Sequence, residues 1–164
     1  MTSAEHKTLD ASVTRKRTPP RRVRGRSQSK PQGDGNALST LWAKAQVAAQ
    51  SARVLFERGD MDGAVNRAYY ATFGAARAAV ASVRAALASS KGHGTIFRRF
   101  AKHVVEERGF DPSLGRAFFH KQSHARWVAD YDEGRIDEAT ARVVLGEMAR
   151  LLTAVEPFLK RPKR

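Results

Sequence analysis

Arg126 and Asp130 stand four residues apart in the segment 126–131 (RWVADY). In a helix this spacing places both side chains on one face, but the base precedes the acid, which is the less favourable order for helix stability. An acid near the C-terminal end of a helix is also opposed by the helix dipole. One explanation is a guanidinium that holds a phosphate and is oriented by the carboxylate, with Tyr131 completing the cluster. The alternative is an ion pair that only fixes the following loop.

A second group of unusual residues lies upstream, beside an apolar stripe. Asn66, Tyr70, Gly74 and Arg77 follow one another at helical spacing, although asparagine and glycine are poor choices for a helix interior. Gly74 would let another helix approach closely, and the three polar side chains would form hydrogen bonds across the contact. This face is either part of an interface or a hydrogen-bonded packing face within the fold.

Residues 89–94 (SSKGHG) form a flexible loop that brings Lys91 and His93 to the start of a predicted helix. A helix N-terminus beside a cation is suited to binding a phosphate. The pattern matches neither a P-loop nor a dinucleotide-binding fingerprint. An ordinary connecting loop explains it equally well.

The composition excludes several classes of function. The chain has 164 residues, a net charge of +14 and no cysteine. The lack of thiols excludes disulfides, a cysteine nucleophile and zinc sites built on sulfur, and no spacing of His, Asp and Glu predicts another metal site. No apolar run is long enough to span a membrane, and the N-terminus lacks the apolar region of a secretory leader. We therefore expect a cytoplasmic protein without a metal or other cofactor, although the arginine-rich N-terminus also resembles an organelle transit peptide.

The positive charge is concentrated at the two ends of the chain. Residues 1–36 contain 9 basic and 3 acidic residues and no Phe, Tyr or Trp, and residues 160–164 contain 4 basic and no acidic residues. The first segment cannot bury enough apolar surface to offset the entropy of ordering it, so a disordered basic tail is predicted. This tail either contacts nucleic acid through its arginines or is only solvated. Residues 37–159 are the predicted folded domain, and residues 160–164 a second basic tail.

Five helical segments must position the candidate residues. In four of the segments apolar residues recur every three or four positions, and the fourth segment opens with Asp111 as an N-cap followed by Pro112. The segments are approximately 39–58, 65–87, 95–108, 111–130 and 137–158. No segment has the two-residue period of a strand. The sequence predicts an all-α protein, an up-and-down bundle of about five helices.

Four short motifs, in this order along the chain, resemble the HEPN domain family. They are residues 66–71 (NRAYYA) with Phe73, His93 before the third helix, residues 126–131, and residues 136–139 (IDEA). The resemblance covers roughly residues 38–159. It implies a small helical bundle, a homodimer, and a gene that often neighbours a minimal nucleotidyltransferase in a toxin–antitoxin pair. Many members cleave RNA without a metal, and others only bind their partners.

The chain departs from the pattern of the RNA-cleaving members. These carry an arginine followed after four to six residues by a histidine, late in the bundle. After Arg126 the corresponding positions, 131–133, hold Tyr, Asp and Glu. Arg98 and His103 have the required spacing, but on the third helix, where chance alone accounts for the match.

Three hypotheses follow for the function. The first is a HEPN-like component of a prokaryotic toxin–antitoxin system that binds a nucleic acid, a nucleotide or a nucleotidyltransferase partner. In it Arg126 holds a phosphate, Asp130 orients Arg126, Tyr131 closes the site, and Asn66 and Tyr70 line the interface of a homodimer.

The second hypothesis is an active, metal-independent endoribonuclease. In that case His93, His120 or His124 supplies the proton transfer. The third is a non-enzymatic nucleic-acid binder that acts through residues 14–30 of the basic tail.

Overall fold

The structure is a computed structural model that describes residues 34–161, with side chains from residue 37 onward. Residues 14–30, through which the third hypothesis would act, lie outside the described residues. The same is true of residues 1–33 as a whole and of residues 162–164, which hold most of the two predicted tails.

The described part of the chain consists of five α-helices and contains no strand, so the predicted all-α fold is confirmed. The helices are α1 (Asp34–Glu57), α2 (Met61–Val83), α3 (His93–Phe100), α4 (Arg116–Tyr131) and α5 (Glu138–Leu159). A π-helical segment, Ala101–Glu106, continues α3, and 3-10 turns cover Ala85–Ser89 and Pro112–Leu114. Within residues 34–161, no helix is both long enough and apolar enough to cross a membrane.

The central element is α2, which packs against each of the other four helices. The apolar stripe predicted for α2 is largely buried, and buried alanines lie on its other faces as well. A helix that is apolar over most of its surface is typical of a core position, and α2 leaves only a part of its surface exposed, at Arg67 and Tyr70. Because alanine side chains are short, the neighbouring helices can approach α2 closely from several directions.

α1 approaches α2 closely at Gly74. A methyl group placed on Gly74 would lie 3.0 Å from Cβ and 3.2 Å from Cα of Ala45. Carbon atoms in ordinary contact are about 3.5–4.0 Å apart. Gly74 therefore serves the packing of two helices within one chain.

The core is rich in aromatic rings on one side of α2. Phe97 of α3 stacks on Phe119 of α4 at a centroid distance of 4.2 Å, and Phe100 meets Phe119 edge to face at 5.1 Å. A smaller group of mostly Ala and Val residues joins α1, α2 and the first half of α5. Phe97 also meets Tyr69 and Phe73 of α2 edge to face, at 6.1 and 6.0 Å, so the aromatic contacts join α3 and α4 to α2, the arrangement on which the candidate site depends.

Local signals set several helix ends. Gly59 has a φ of +80° and follows α1, where the sequence predicts a stop. Asp60 Oδ1 accepts a hydrogen bond from Gly63 N at 2.9 Å, and an Asp137 side-chain oxygen accepts one from Thr140 N at 2.6 Å. These carboxylates cap the first turns of α2 and α5.

Most predicted boundaries differ from the structure by a few residues, and His93 and Gly94, expected in a loop, belong to the first turn of α3. Two of the differences have a visible cause. α2 ends at Val83 instead of continuing to residue 87, and the chain then forms a 3-10 turn whose carbonyls accept hydrogen bonds from arginines. Arg77 Nε donates to Ala88 O at 2.7 Å, and Arg99 donates to Leu87 O. The fourth helix begins at Arg116 and not at residue 111, because Asp111 caps a separate 3-10 turn.

Candidate functional site

Arg126, Asp130 and Asn66 form one hydrogen-bonded group between α4 and α2. Arg126 Nη2 lies 2.6 Å from Asp130 Oδ2, and Asn66 Nδ2 donates to Asp130 Oδ1 at 2.6 Å. Both carboxylate oxygens are therefore engaged. The Arg126 and Asp130 side chains are 27% and 20% exposed, so the guanidinium is held in place but still reaches solvent.

The loop that follows α4 has a contact besides the ion pair. That loop is held to the start of α2 by Asp62, whose Oδ1 accepts a hydrogen bond from Ile136 N at 2.9 Å. Asn66 instead connects the Arg126–Asp130 pair to α2. The pair therefore has a fixed orientation relative to the residues of the central helix.

Two tyrosines lie against the Arg126 guanidinium. Its Cζ is 5.4 Å from the ring centroid of Tyr69 and 5.8 Å from that of Tyr70, distances typical of cation–π contacts. A second cation, Arg67, lies 5.8 Å from the Tyr70 ring. Among the described residues, Arg126 has one hydrogen-bond acceptor, Asp130, and the buried Nε of Arg126 has no partner.

His93 completes the group from the first turn of α3. Its Nδ1 is joined to Tyr69 Oη by a hydrogen bond of 2.6 Å. Its ring stacks on Phe73 at 4.0 Å and meets Tyr70 edge to face at 6.0 Å. We refer to the six residues Asn66, Tyr69, Tyr70, His93, Arg126 and Asp130 as the Arg126 site.

The environment keeps both members of the Tyr69–His93 pair uncharged. Burial lowers the pKa of His93, and the positive charge of Arg126 lowers it further. Burial raises the pKa of Tyr69, against the opposing effects of a hydrogen bond with Ser123 and the Arg126 charge. At neutral pH the site therefore offers a neutral imidazole, which can both accept and donate a proton.

The other candidate residues on α4 lie toward solvent. His120 and His124 are exposed, and within residues 37–161 neither forms a hydrogen bond or ring contact. Tyr131 is also exposed, and its ring lies 6.3 Å from that of Trp127. The structure thus brings His93, and not the two α4 histidines, to the residues around Arg126.

Arg98 and His103 do not form a joint site. Arg98 donates to Thr95 Oγ1 at 3.4 Å, whereas His103 Nδ1 lies 3.0 Å from Glu107 Oε2. Across residues 34–161, no three His, Asp or Glu side chains are grouped so that they could hold a metal ion.

The sequence analysis missed Tyr69 and Arg67. Both lie in the motif 66–71, but neither was assigned a role in a site; for Tyr69 the available signal was its hydroxyl, since a buried tyrosine hydroxyl needs a hydrogen-bond partner. Arg67 gave no signal, because a charged residue on an exposed helix face is ordinary. Its place beside Tyr70 depends on the side-chain geometry of α2.

Comparison with known proteins gives three matches. A family model described as HEPN domain matches residues 38–158. A Methanocaldococcus jannaschii protein named as a candidate toxin is 29% identical over 110 residues, which are 67% of this chain and 79% of that protein. A UPF0332 protein of Gloeobacter violaceus is 26% identical over 121 residues, which are 73% of this chain and 93% of that protein.

Proposed function

The chain belongs to the HEPN domain family, and on this premise we propose that it is a toxin-like protein whose Arg126 site binds the phosphate of a nucleic acid or nucleotide. The observation that carries the proposal is the fixed guanidinium of Arg126, which is paired with Asp130, itself held by Asn66, while the Arg126 side chain stays 27% exposed. A forked, pre-oriented guanidinium is suited to a phosphate. The name of the relative from M. jannaschii supports the toxin-like role.

The charges around the site favour an anion. Arg126 and Arg67 both lie within 6 Å of the Tyr70 ring centroid, and Asp130 is the one carboxylate of the group. One positive charge therefore remains after the ion pair is counted. Because the Arg126 side chain is partly buried, its attraction for an anion is screened less than that of a fully exposed arginine.

We further propose a cytoplasmic homodimer that pairs with a minimal nucleotidyltransferase as its antitoxin. Tyr70 is 37% exposed, whereas Asn66 is engaged by Asp130. Of these two residues Tyr70 is therefore the one available to contact a second subunit. Tyr131, at the exposed end of α4, would cover a bound phosphate. The folded domain would be flanked by the basic tails, residues 1–36 and 160–164.

The test measures the binding of a labelled RNA oligonucleotide by fluorescence anisotropy. Arg126→Gln should weaken binding by roughly 10- to 100-fold, because it removes hydrogen bonds from a charged donor to phosphate. Arg142→Gln is the matched control: Arg142 forms an ion pair with the acid four residues before it, Glu138, but on the exposed surface of α5. Equal losses in the two variants would mean that only general charge matters, and would overturn the assignment of Arg126.

A second candidate function is metal-independent cleavage of RNA, and it is favoured by His93. A neutral imidazole near a guanidinium can transfer a proton while the cation stabilises the negative charge that develops at phosphorus. With RNA in the presence of EDTA, cleavage should be lost in His93→Ala and retained in the double variant His120→Ala/His124→Ala. The reverse pattern would assign proton transfer to α4, and no cleavage by the folded wild type would reject this function.

A further inference from the structure

A row of exposed side chains runs along one face of α4. Arg116, His120, His124, Trp127 and Tyr131 follow at steps of four, four, three and four residues, a spacing that places them on one side of a helix. We call these five residues the α4 row. At 1.5 Å per residue it is about 22 Å long. Trp127 and Tyr131 are 56% and 66% exposed, and their ring centroids lie 6.3 Å apart.

The composition of this face differs from that of an ordinary solvent-exposed helix. Such helices usually alternate acidic and basic residues, which form ion pairs along the surface. The one acidic residue of α4 is Asp130, and both of its oxygens are engaged by Arg126 and Asn66. Within residues 37–161, Arg116 and Lys121 form no ion pair. The row therefore carries one fixed positive charge, Arg116, with Lys121 at its flank, no acidic side chain, and two exposed aromatic rings.

We propose that the α4 row binds a single-stranded nucleic acid, with bases stacked on Trp127 and Tyr131 and phosphates contacting Arg116 and Lys121. The inference rests on the proposed function, because Arg126 adjoins Trp127 in the chain and would hold a phosphate of the same strand. Aromatic rings and cations arranged along one surface are the combination that binds single strands. A duplex fits less well, since the faces of its bases are already stacked on each other.

The charge of the α4 row favours a nucleic acid over a second copy of the chain as the molecule that covers it. In a symmetric dimer the same patch of both subunits meets itself, and neither α4 row offers an acidic side chain to pair with Arg116 of the other. A polyanion has the complementary charge along its whole length, and it releases counterions when it binds. The positive face therefore favours the nucleic acid.

The test uses the fluorescence of Trp127. The chain has two tryptophans, so Trp42→Phe leaves Trp127 as the single emitter. Titration with a 12-nucleotide RNA should quench this emission, because a base stacks on the indole. Heparin, a polyanion without bases, should bind without comparable quenching, and an RNA duplex of the same length should quench less. In a chain that retains Trp42, Trp127→Phe should remove the quenching, which provides a second readout if Trp42→Phe does not fold.

Affinity provides the second measurement. Trp127→Ala/Tyr131→Ala should raise the dissociation constant for the 12-nucleotide RNA about tenfold or more. Val47→Ala/Val143→Ala is the matched control, since it removes two other exposed apolar side chains, on α1 and α5. It should leave the dissociation constant unchanged.

The outcomes separate this inference from the proposed function. If the RNA binds and Arg126→Gln weakens binding, but Trp127 is not quenched and the aromatic variants bind normally, the Arg126 site stands and the α4 row is rejected. If no RNA binds to the wild type, both are rejected. If the aromatic variants change the mass of the protein in solution and not its affinity, the row is a subunit contact and the inference is also rejected.

Discussion

Replacing Gly74 with alanine should destabilise the protein, whereas replacing Gly146 with alanine should stabilise it. Both glycines lie inside α-helices, so each substitution gains up to about 1 kcal/mol in helix propensity. The surroundings differ: a Cβ on Gly146 meets no atom within 4 Å, whereas a Cβ on Gly74 lies 3.0 Å from Cβ of Ala45. The pair of variants therefore isolates the contact between α1 and α2.

The loss of unfolding free energy in Gly74→Ala can be estimated from the distance between the new Cβ and Cβ of Ala45. The new contact at Gly74 is about 0.5–1 Å shorter than a normal carbon contact. Ala45 cannot relieve it by changing rotamer, because its Cβ is fixed by the backbone of α1. Overpacking of this kind costs about 1–3 kcal/mol, so Gly74→Ala should lower the free energy of unfolding by about 0–2 kcal/mol after the gain in propensity. Gly146→Ala should raise it by up to about 1 kcal/mol.

The assay is urea unfolding followed by far-ultraviolet circular dichroism, with the free energy extrapolated to water. The predicted quantity is the difference between the two variants, about 1–3 kcal/mol, because the helix-propensity gain cancels in it. Adding Ala45→Gly to Gly74→Ala should restore part of the loss in a double-mutant cycle. If the Gly74→Ala and Gly146→Ala variants are equally stable, the inference that α1 and α2 approach closely at Gly74 is wrong.

Three further predictions concern the site and one helix end. As the pH falls below about 6.5, stability should decrease, because the lowered pKa of His93 lets the unfolded chain bind the proton first. In the His93→Gln variant the urea midpoint should depend less on pH between 7.5 and 5 than in the wild type. An unchanged pH dependence would argue against His93 as its cause. Tyr69→Phe should lower the free energy of unfolding by about 1 kcal/mol through loss of its hydrogen bond to His93. Tyr70→Phe is the control, and an equal loss there would contradict the assignment. Gly59→Ala should destabilise by about 1 kcal/mol because φ is +80°, and Gly59→Asn by less; calorimetry that finds no loss in Gly59→Ala would contradict this.

The sequence predicted the helices and their buried faces because these depend on local spacing. In α5, Val144, Met148, Leu151, Val155 and Phe158 follow one another at steps of three or four residues, and all are buried. The stop at Gly59 and the cap at Asp137 are local as well, since each acts within one helical turn. The Arg126–Asp130 pair could be predicted for the same reason, because its members are one turn apart on a single helix.

Helix boundaries were less predictable where distant side chains replace local hydrogen bonds. The spacing of apolar residues continues through Leu87, but α2 ends at Val83. Arg77 and Arg99 then bind carbonyls of the following turn, and these contacts stabilise a path that is not α-helical. A pattern of apolar spacing carries no information about which carbonyls an arginine will reach.

By itself, then, the sequence determined the all-α class, the number of helices and the faces that form the core. Only the tertiary structure decided that Asn66 binds Asp130, across 64 positions of the chain, and that His93, and not His120 or His124, joins Tyr69 beside Arg126. The physical reason is that periodicity fixes which side of a helix is buried but not its rotation and offset relative to its neighbours. Those are set by contacts such as Gly74 against Ala45, and they determine which polar side chains meet.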